Sequence, residues 1–445
     1  MNRLKTILTN ACRLVLALTF IFSGYVKAID PLGTQYKIQD YLEAVGLAGV
    51  FPDWATLGIS VLLAALEFSL GIFVLFNIRR RATSRVMLAF MVVMTLITAW
   101  LAIWNPVEDC GCFGDAIKLT NTETLLKNLV LLACAAVIFT WPLRMVRFIS
   151  ESNQWIVINF TILYILLSSV YSLYKLPRFD FRPYHIGANI RQGMEIPQGA
   201  ASPRFETTFL MRKGGETREF TLENYPDSTW EFIDSKTVQT AEGYTPPIHD
   251  FSIQEYQSGK DITRKVLNDK GYTFLLISPH LENADDTNFG DIDQLYEYAQ
   301  EQGIPFYCLT ASDEDAMQRW TDLTGAEYPF CITDETTLKT IIRSNPGLVL
   351  LKDGTVINKW SHNFLPKSSQ LTAPLRQSSI GQMPRDAVAE KIAKVLLWFV
   401  LPLLLLTFAD RMWAWSKWIR KRQEKLKHDI STLTKEKNEK EDCSR

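Results

Sequence analysis

The chain has 445 residues, 47% of them apolar, and a formal net charge of -1. That length suits two or three folded units, and the near-zero charge argues against nucleic acid as a partner. The apolar residues are unevenly spread, crowding the first 175 positions and a short stretch near the C-terminus.

Crossing roughly 30 Å of hydrocarbon takes about 18 or more predominantly apolar residues. Runs of that kind fall at 7–28, 54–76, 84–104, 124–142, 155–174 and 391–409. They predict a polytopic α-helical membrane protein. The first run reads as a retained span, since Arg13 interrupts it early, no small-residue cleavage site follows and further spans come after it. Lys and Arg collect in cytoplasmic loops. Here Arg79, Arg80, Arg81 and Arg85 lie between spans two and three, Arg144 and Arg147 between four and five, and Arg411 to Arg422 after span six. This places both termini in the cytoplasm of an inner-membrane protein and everything from about Lys175 to Arg385 outside, in a periplasm where disulfides persist.

The outward segment opens with "RFDFRPYHIGANIRQGMEIPQG", which reads as linker. "FETTFLMRK" and "TREFTLENY", joined by "KGGET", predict a small antiparallel β element. Beyond "GYTPPIHDF" the pattern becomes strand "YTFLLIS", helix "DIDQLYEYAQEQG", strand "PFYCLT", helix "DEDAMQRWTDLTG", then a hairpin of "GLVLL" and "TVINKW" about "KDG". Strands alternating with helices argue for an α/β layer with an antiparallel edge. The expected organisation is a four-helix transmembrane domain (1–150), a fifth span (151–176), linker and β element (177–242), α/β domain (243–385), a sixth span (390–410) and a charged tail (411–445). Trp413, Trp415 and Trp418 beside basic residues read as an interfacial anchor.

The chemistry concentrates in "NPVEDCGCFGDAIKLT". Cys110 and Cys112 at i and i+2 can close only a very small ring, and Gly111 removes the side chain that would most obstruct it. A strained disulfide is easily reduced, which suits exchange chemistry. Glu108, Asp109 and Asp115 push the thiol pKa upward unless a cation intervenes; Lys27, Lys118 and Lys127 are the cations within reach. A zinc half-site is disfavoured because no His precedes His185. A structural turn with incidental cysteines stays open. Glu67, near the middle of span two, sits roughly 20 Å deep at 1.5 Å per residue, too deep to meet Lys27. It reads as a proton relay, a quinone-facing group, or, preferred, a neutral acid bonded to a neighbouring helix, because burial neutralises a lone carboxyl. Cys12 and Cys134 read as packing residues, and Cys308 and Cys331 as buried thiols.

Two resemblances follow from these motifs. "FIFSGYVKAIDP", "LEFSLGIFVL" and "DCGCFGDAIKLTNTETLLKN" make the first four spans similar to the DoxX and MauE group of membrane proteins, and "CGCFGD" is especially similar to MauE-like members. The MauE resemblance implies a role in maturing or exporting a disulfide-rich partner during methylamine utilisation. "TPPIHDFSI" as entry strand and "SNPGLVLLKDGTVINKW" as proline loop and final hairpin resemble a thioredoxin-like periplasmic domain, with Pro346 at the cis-proline position. That resemblance implies a Cys-x-x-Cys pair where this chain reads "SPHLENADD", so the domain is expected to hold a polypeptide rather than exchange disulfides.

Two functions compete. One is a thiol-disulfide redox or maturation protein in which Cys110 and Cys112 cycle at the outer face and meet a protein client or thiol partner. Quinone as its electron acceptor has only Glu67 and aromatic residues in support. The other is a non-catalytic envelope scaffold or chaperone anchored in the bilayer. A transporter is disfavoured by the lack of an inverted repeat or broken-helix pair.

Overall fold

The computed structural model describes residues 2–107, 109–197, 199, 204–213, 216–221, 231–241, 244–384 and 388–442. The chain divides into two compact units, Met1–Phe181 with Arg385–Arg445, and Arg182–Pro384.

The first unit is helical. It contains α1 (Asn2–Ile29), α2 (Pro31–Ala44), α3 (Asp53–Phe76), α4 (Arg80–Trp104), α5 (Asn121–Thr140) and α6 (Gln154–Tyr174), with a last helical stretch over Val388–Lys427. Among the described residues, six helices are long and apolar enough to cross a membrane; five of the predicted runs fall within them, and the fourth overruns the end of its helix at Thr140 by two residues. The lipid bilayer is therefore this unit's solvent.

Glycines let α1 and α3 approach closely. A Cβ at Gly24 would fall 2.7 Å from the Cα of Phe68, and one at Gly71 would fall 2.7 Å from the Ile21 nitrogen. Such small-residue contacts are a common means of joining helices in lipid, where burying apolar surface gains little. Arg13, buried in α1, caps the end of α3. Its guanidinium donates to the carbonyls of Val74 (3.0 Å) and Leu75, reaches the Val146 carbonyl at 2.7 Å, and lies over the Phe148 ring. Asp410, on the last span, accepts from the Ser150 backbone N–H at 2.9 Å and Asn153 Nδ2 at 2.7 Å, which fastens that span to the entry of α6.

The helix α2 is absent from the pattern of apolar runs, being short and mixed in character. Pro31 at its first position and the Asp30 side chain accepting from the Gly33 N–H start it. It packs along α3: Gln35 donates to the Asp53 carbonyl (3.0 Å), and Ser60 donates to the Pro31 carbonyl (2.7 Å). Pro31 is thus level with Ser60, and α3 runs on for about 10 Å beyond the end of α1.

The second unit begins with α7 (Ile190–Met194) inside the segment expected to be linker. That segment is ordered against the domain: Gly187 donates to the Val356 carbonyl and Ile190 to the Gly354 carbonyl, both at 2.8 Å. Next come β1 (Arg204–Lys213), β2 (Glu216–Thr221) and β3 (Glu231–Ala241), an antiparallel sheet in the order β2-β1-β3. The expected hairpin is its first two strands; the two glycines of its turn lie outside the described residues.

The main sheet comprises β4 (Gln254–Glu255), β5 (Tyr272–Ser278), β6 (Phe306–Thr310), β7 (Phe330–Ile332), β8 (Gly347–Lys352) and β9 (Thr355–Ser361), ordered β4-β7-β6-β5-β8-β9. β5, β6 and β7 are parallel, β8 is antiparallel to β5, and β9 is antiparallel to β8. Four helices complete the unit: α8 (Thr263–Leu267), α9 (Phe289–Glu301), α10 (Glu314–Thr324) and α11 (Glu335–Ile341). Every residue of β5 is buried, which is why "YTFLLIS" is apolar without alternation. The parallel trio, the antiparallel hairpin and a cis peptide between Asn345 and Pro346 just before β8 make this unit thioredoxin-like. "TPPIHDFSI" is not itself a strand; the strand is the two residues that follow, at the sheet edge.

Candidate functional site

The connection from α4 to α5 is closed at its base by Asn121, whose side-chain amide donates to Asn105 Oδ1 (2.7 Å) and to the Val107 carbonyl (2.8 Å). Thr120 and Glu123 form a capping box that starts α5. Within the loop Gly111 has φ +59°, and a Cβ there would come 3.0 Å from Lys37 Cγ. Glycine is therefore required for two reasons, the left-handed backbone and the stem of Lys37 lying against it.

This turn brings the sulfurs of Cys110 and Cys112 to 2.7 Å. A disulfide needs about 2.05 Å, so a shift of about 0.7 Å joins them. Cys110 is buried, with Thr124 Oγ1 3.4 Å from its sulfur, and Cys112 is half-buried. Chiefly because Cys112 hydrogen-bonds the Cys110 sulfur, the Cys110 thiol is drawn down to about 6; burial opposes this, while Thr124 and the charge of Lys127 assist. Cys112 is held well above its ordinary value by giving its hydrogen to Cys110, by burial and by the neighbouring negative charge.

The acids beside the pair were expected to raise its thiols unless a cation intervened, and Lys127 is such a cation for both cysteines. Lys37, on α2, pairs with Asp109 at 3.3 Å and offsets its charge. Lys127 lies 4.2 Å from the centre of the Phe113 ring, close enough to favour thiolate on both cysteines. Lys118 is exposed and forms no ion pair among the described residues. Asp115 sits on the 3-10 turn Gly114–Ala116 just after the pair, and Glu108 lies outside the described residues.

The backbone of the pair is held from both sides. The Tyr41 hydroxyl donates to the Cys110 carbonyl. Lys27 Nζ donates to the Cys112 carbonyl at 2.7 Å and to Ser23 Oγ at 2.8 Å, and it is 2.7 Å from Glu67 Oε2. Ser23 Oγ in turn lies 2.7 Å from both Glu67 Oε2 and the Cys112 carbonyl. The side chains of Lys27 and Glu67 are only 5% and 4% exposed. Glu67 therefore does meet Lys27, contrary to the depth reckoned from the spans, because α1 ends well short of the start of α3. The carboxyl is bonded to a neighbouring helix, as preferred, but it is not alone: Glu67 and Lys27 form a buried salt bridge.

A cavity of about 30 Å³ lies among Ser23, Lys27, Glu67, Cys112, Phe113 and Lys127. That is room for about two waters, and it leaves no space for a quinone ring. Ser23, Lys37, Tyr41 and Thr124 escaped sequence reasoning. Their available signal was i,i+4 spacing: Ser23 with Lys27 on α1 and Lys37 with Tyr41 on α2 share helix faces.

Pro346 belongs to the other unit. Around its cis bond, Asn345 Nδ2 donates to the His280 carbonyl (2.8 Å) and Ser344 Oγ lies 2.9 Å from His362 Nδ1. His280, in the stretch where a dithiol would stand, touches Glu335 (2.8 Å) and Glu282 (3.2 Å). The two cysteines of the unit, Cys308 and Cys331, are buried free thiols on β6 and β7; burial pushes Cys331 up to about 12 and Cys308 further.

Family comparison bears on the first part of the helical unit. Residues 5–141 match the model of the methylamine utilisation protein MauE family. The MauE-like region thus spans α1 to α5 and includes the Cys-Gly-Cys loop together with Ser23, Lys27, Lys37, Tyr41 and Glu67. Residues 205–242 match a domain of unknown function (DUF8463). No curated protein matches the chain. Among solved structures, one assigned as a protein disulfide isomerase from Bacteroides thetaiotaomicron is similar at 14% identity and a TM-score of 0.21, covering 26% of this chain and 76% of that one.

Proposed function

We propose that this chain is a membrane-embedded thiol-disulfide protein whose Cys110–Cys112 pair acts as a disulfide donor to an extracytoplasmic protein client. The observation that carries this reading is the asymmetry of the pair: two sulfurs 2.7 Å apart, that of Cys110 stabilised as thiolate and that of Cys112 held as thiol. A thiolate of the client attacks Cys112 Sγ; the Cys110–Cys112 bond breaks and Cys110 leaves as thiolate, its low pKa making it the better leaving group. A second client thiol, losing its proton to the departing Cys112 sulfur, then attacks the client's half of the mixed disulfide. The client gains a disulfide, and the pair, having taken up two electrons, is left as thiol and thiolate.

Lys27, Ser23 and Glu67 fix the Cys112 carbonyl and thereby the spacing of the sulfurs; Lys127 supports the leaving thiolate. Asp115 borders the approach to the pair. The thioredoxin-like unit, lacking a dithiol, presents a client along the loop at Pro346. The arginine-rich loops support an inner-membrane topology with both termini cytoplasmic and the cysteine loop and residues 182–384 periplasmic. The similarity to MauE supports a client that needs several disulfides.

The test is redox trapping. Cells are acid-quenched, and Cys110 and Cys112 are alkylated with a mass-shifting maleimide before and after reduction. Cys110→Ser should leave Cys112 in a mixed disulfide with a client polypeptide. A pair that is never oxidised in cells, with activity retained in the double serine variant, refutes the reading.

A further inference from the structure

The opposite end of α4 from the cysteine loop is lined with arginine. One hollow of about 450 Å³ lies between the first turn of α4 and the end of α5, walled by Arg81, Ser84, Arg85, Trp141 and Arg144. A second, of about 540 Å³, is walled by Asn77, Arg79, Arg80, Arg81 and Arg147, and the two share Arg81 and Leu143. Both volumes lie in the range of small-molecule sites, about 300–1,000 Å³. The only carboxylate on either wall is Glu151, paired with Arg147 at 2.9 Å. Arg13 shows the contrast: its N–H groups are used on the backbone carbonyls of Val74, Leu75 and Val146. Arg81 and Arg85 are exposed, and neither pairs with a carboxylate among the described residues.

We propose that these two hollows form a headgroup site for an anionic phospholipid. Guanidinium groups grip phosphate through paired N–H donors, and basic pockets between membrane helices suit anionic headgroups. Phe139 and Leu143, 44% and 55% exposed on the flank of the first hollow, offer the acyl chains an apolar path away from the arginines. That combination selects a lipid over a free anion. Because the hollows share Arg81, a headgroup with two phosphates, diphosphatidylglycerol, occupies both, whereas phosphatidylglycerol fills one.

The experiment is native mass spectrometry of the full chain in neutral detergent, titrated with diphosphatidylglycerol, phosphatidylglycerol or phosphatidylcholine, with and without inorganic phosphate. Retention should follow that order, and phosphate should not displace the lipid. Each arginine near an anionic headgroup is worth about fivefold in affinity, so Arg81→Gln with Arg85→Gln should weaken retention roughly 30-fold. Arg420→Gln with Lys421→Gln, the same charge change on the tail, should leave it unchanged. Lys replacements at 81 and 85 keep the charge and should retain binding at an intermediate level, which keeps the test readable if the glutamine variant misfolds. Equal retention of phosphatidylcholine, equal loss in the tail variant, or displacement by phosphate overturns the proposal.

Discussion

Replacing Lys27 with Met should be one of the most damaging single changes in the helical unit. It leaves Glu67 buried with only the Ser23 hydroxyl as partner and removes a charged donor from the Cys112 carbonyl. Stranding one member of a buried pair costs about 3–5 kcal/mol, and a lost hydrogen bond from a charged group adds about 1.5–3 kcal/mol. Glu67→Leu strands the ammonium instead and should cost about 3–5 kcal/mol on the same grounds. The double variant removes both charges and should cost less than the sum by at least about 2 kcal/mol, since buried pairs replaced together by apolar residues are often near neutral. Equilibrium unfolding in mixed micelles, read by loss of helical signal, closes the cycle. Alkylation of Cys112 should also speed up in Lys27→Met as its carbonyl is released. Additivity within about 0.5 kcal/mol, or a single variant as stable as the parent, would falsify the coupling.

Four further outcomes follow from the geometry. In reduced protein, alkylation of Cys110 should rise as pH passes through about 6 while Cys112 stays protonated, and Cys112→Ala should move the Cys110 midpoint upward by removing its main hydrogen-bond partner. Since the Cys110 value in the fold lies below the ordinary 9.0, its ionisation stabilises the reduced fold fully above about 9, and that contribution disappears as pH falls to about 6; denaturation midpoints across this window check the sign. Arg13→Leu uncaps the Val74 and Leu75 carbonyls and should lower stability by at least about 3 kcal/mol in the same micelle assay. Gly24→Val drives a side chain into the Phe68 backbone, and should both destabilise the unit by upwards of about 1–3 kcal/mol and raise Cys112 accessibility as α1 and α3 part.

The six spans were legible because lipid demands long apolar runs, and composition alone reports them. The α/β order of the second unit was legible because caps and stops are local: Gly303 and Gly325, with φ +65° and +74°, end α9 and α10 where the pattern breaks. What the pattern concealed was relative depth. Apolar runs carry no information on how deep one helix ends relative to the next, and here Asp30 and Pro31 break the chain early and let α2 complete the climb beside α3. That single turn decides whether Lys27 meets Glu67. Lys37 and Tyr41 were invisible for the same reason, lying on a helix too short and too polar to register. The ordering of residues 182–197 against β9 was hidden because, the Asn189–Thr355 side-chain bond apart, its bonds to β9 are to backbone, which any residue type can offer.

The two units also explain each other's omissions. The thioredoxin-like sheet keeps the cis-proline loop, but His280, held by Glu282 and Glu335, occupies the stretch where the reactive thiols would sit. Its own cysteines cannot substitute, because both are interior to β6 and β7 and burial disfavours their thiolates. In the helical unit the balance is reversed: Cys110 is the thiol in the described chain whose surroundings favour ionisation, and its partner sulfur is within reach. The proposed function puts chemistry and client-holding in different units, so a serine at Cys110 should abolish exchange while leaving client binding intact. Substitutions along the Pro346 loop should do the reverse, and a variant that lost both together from one unit alone would contradict the division.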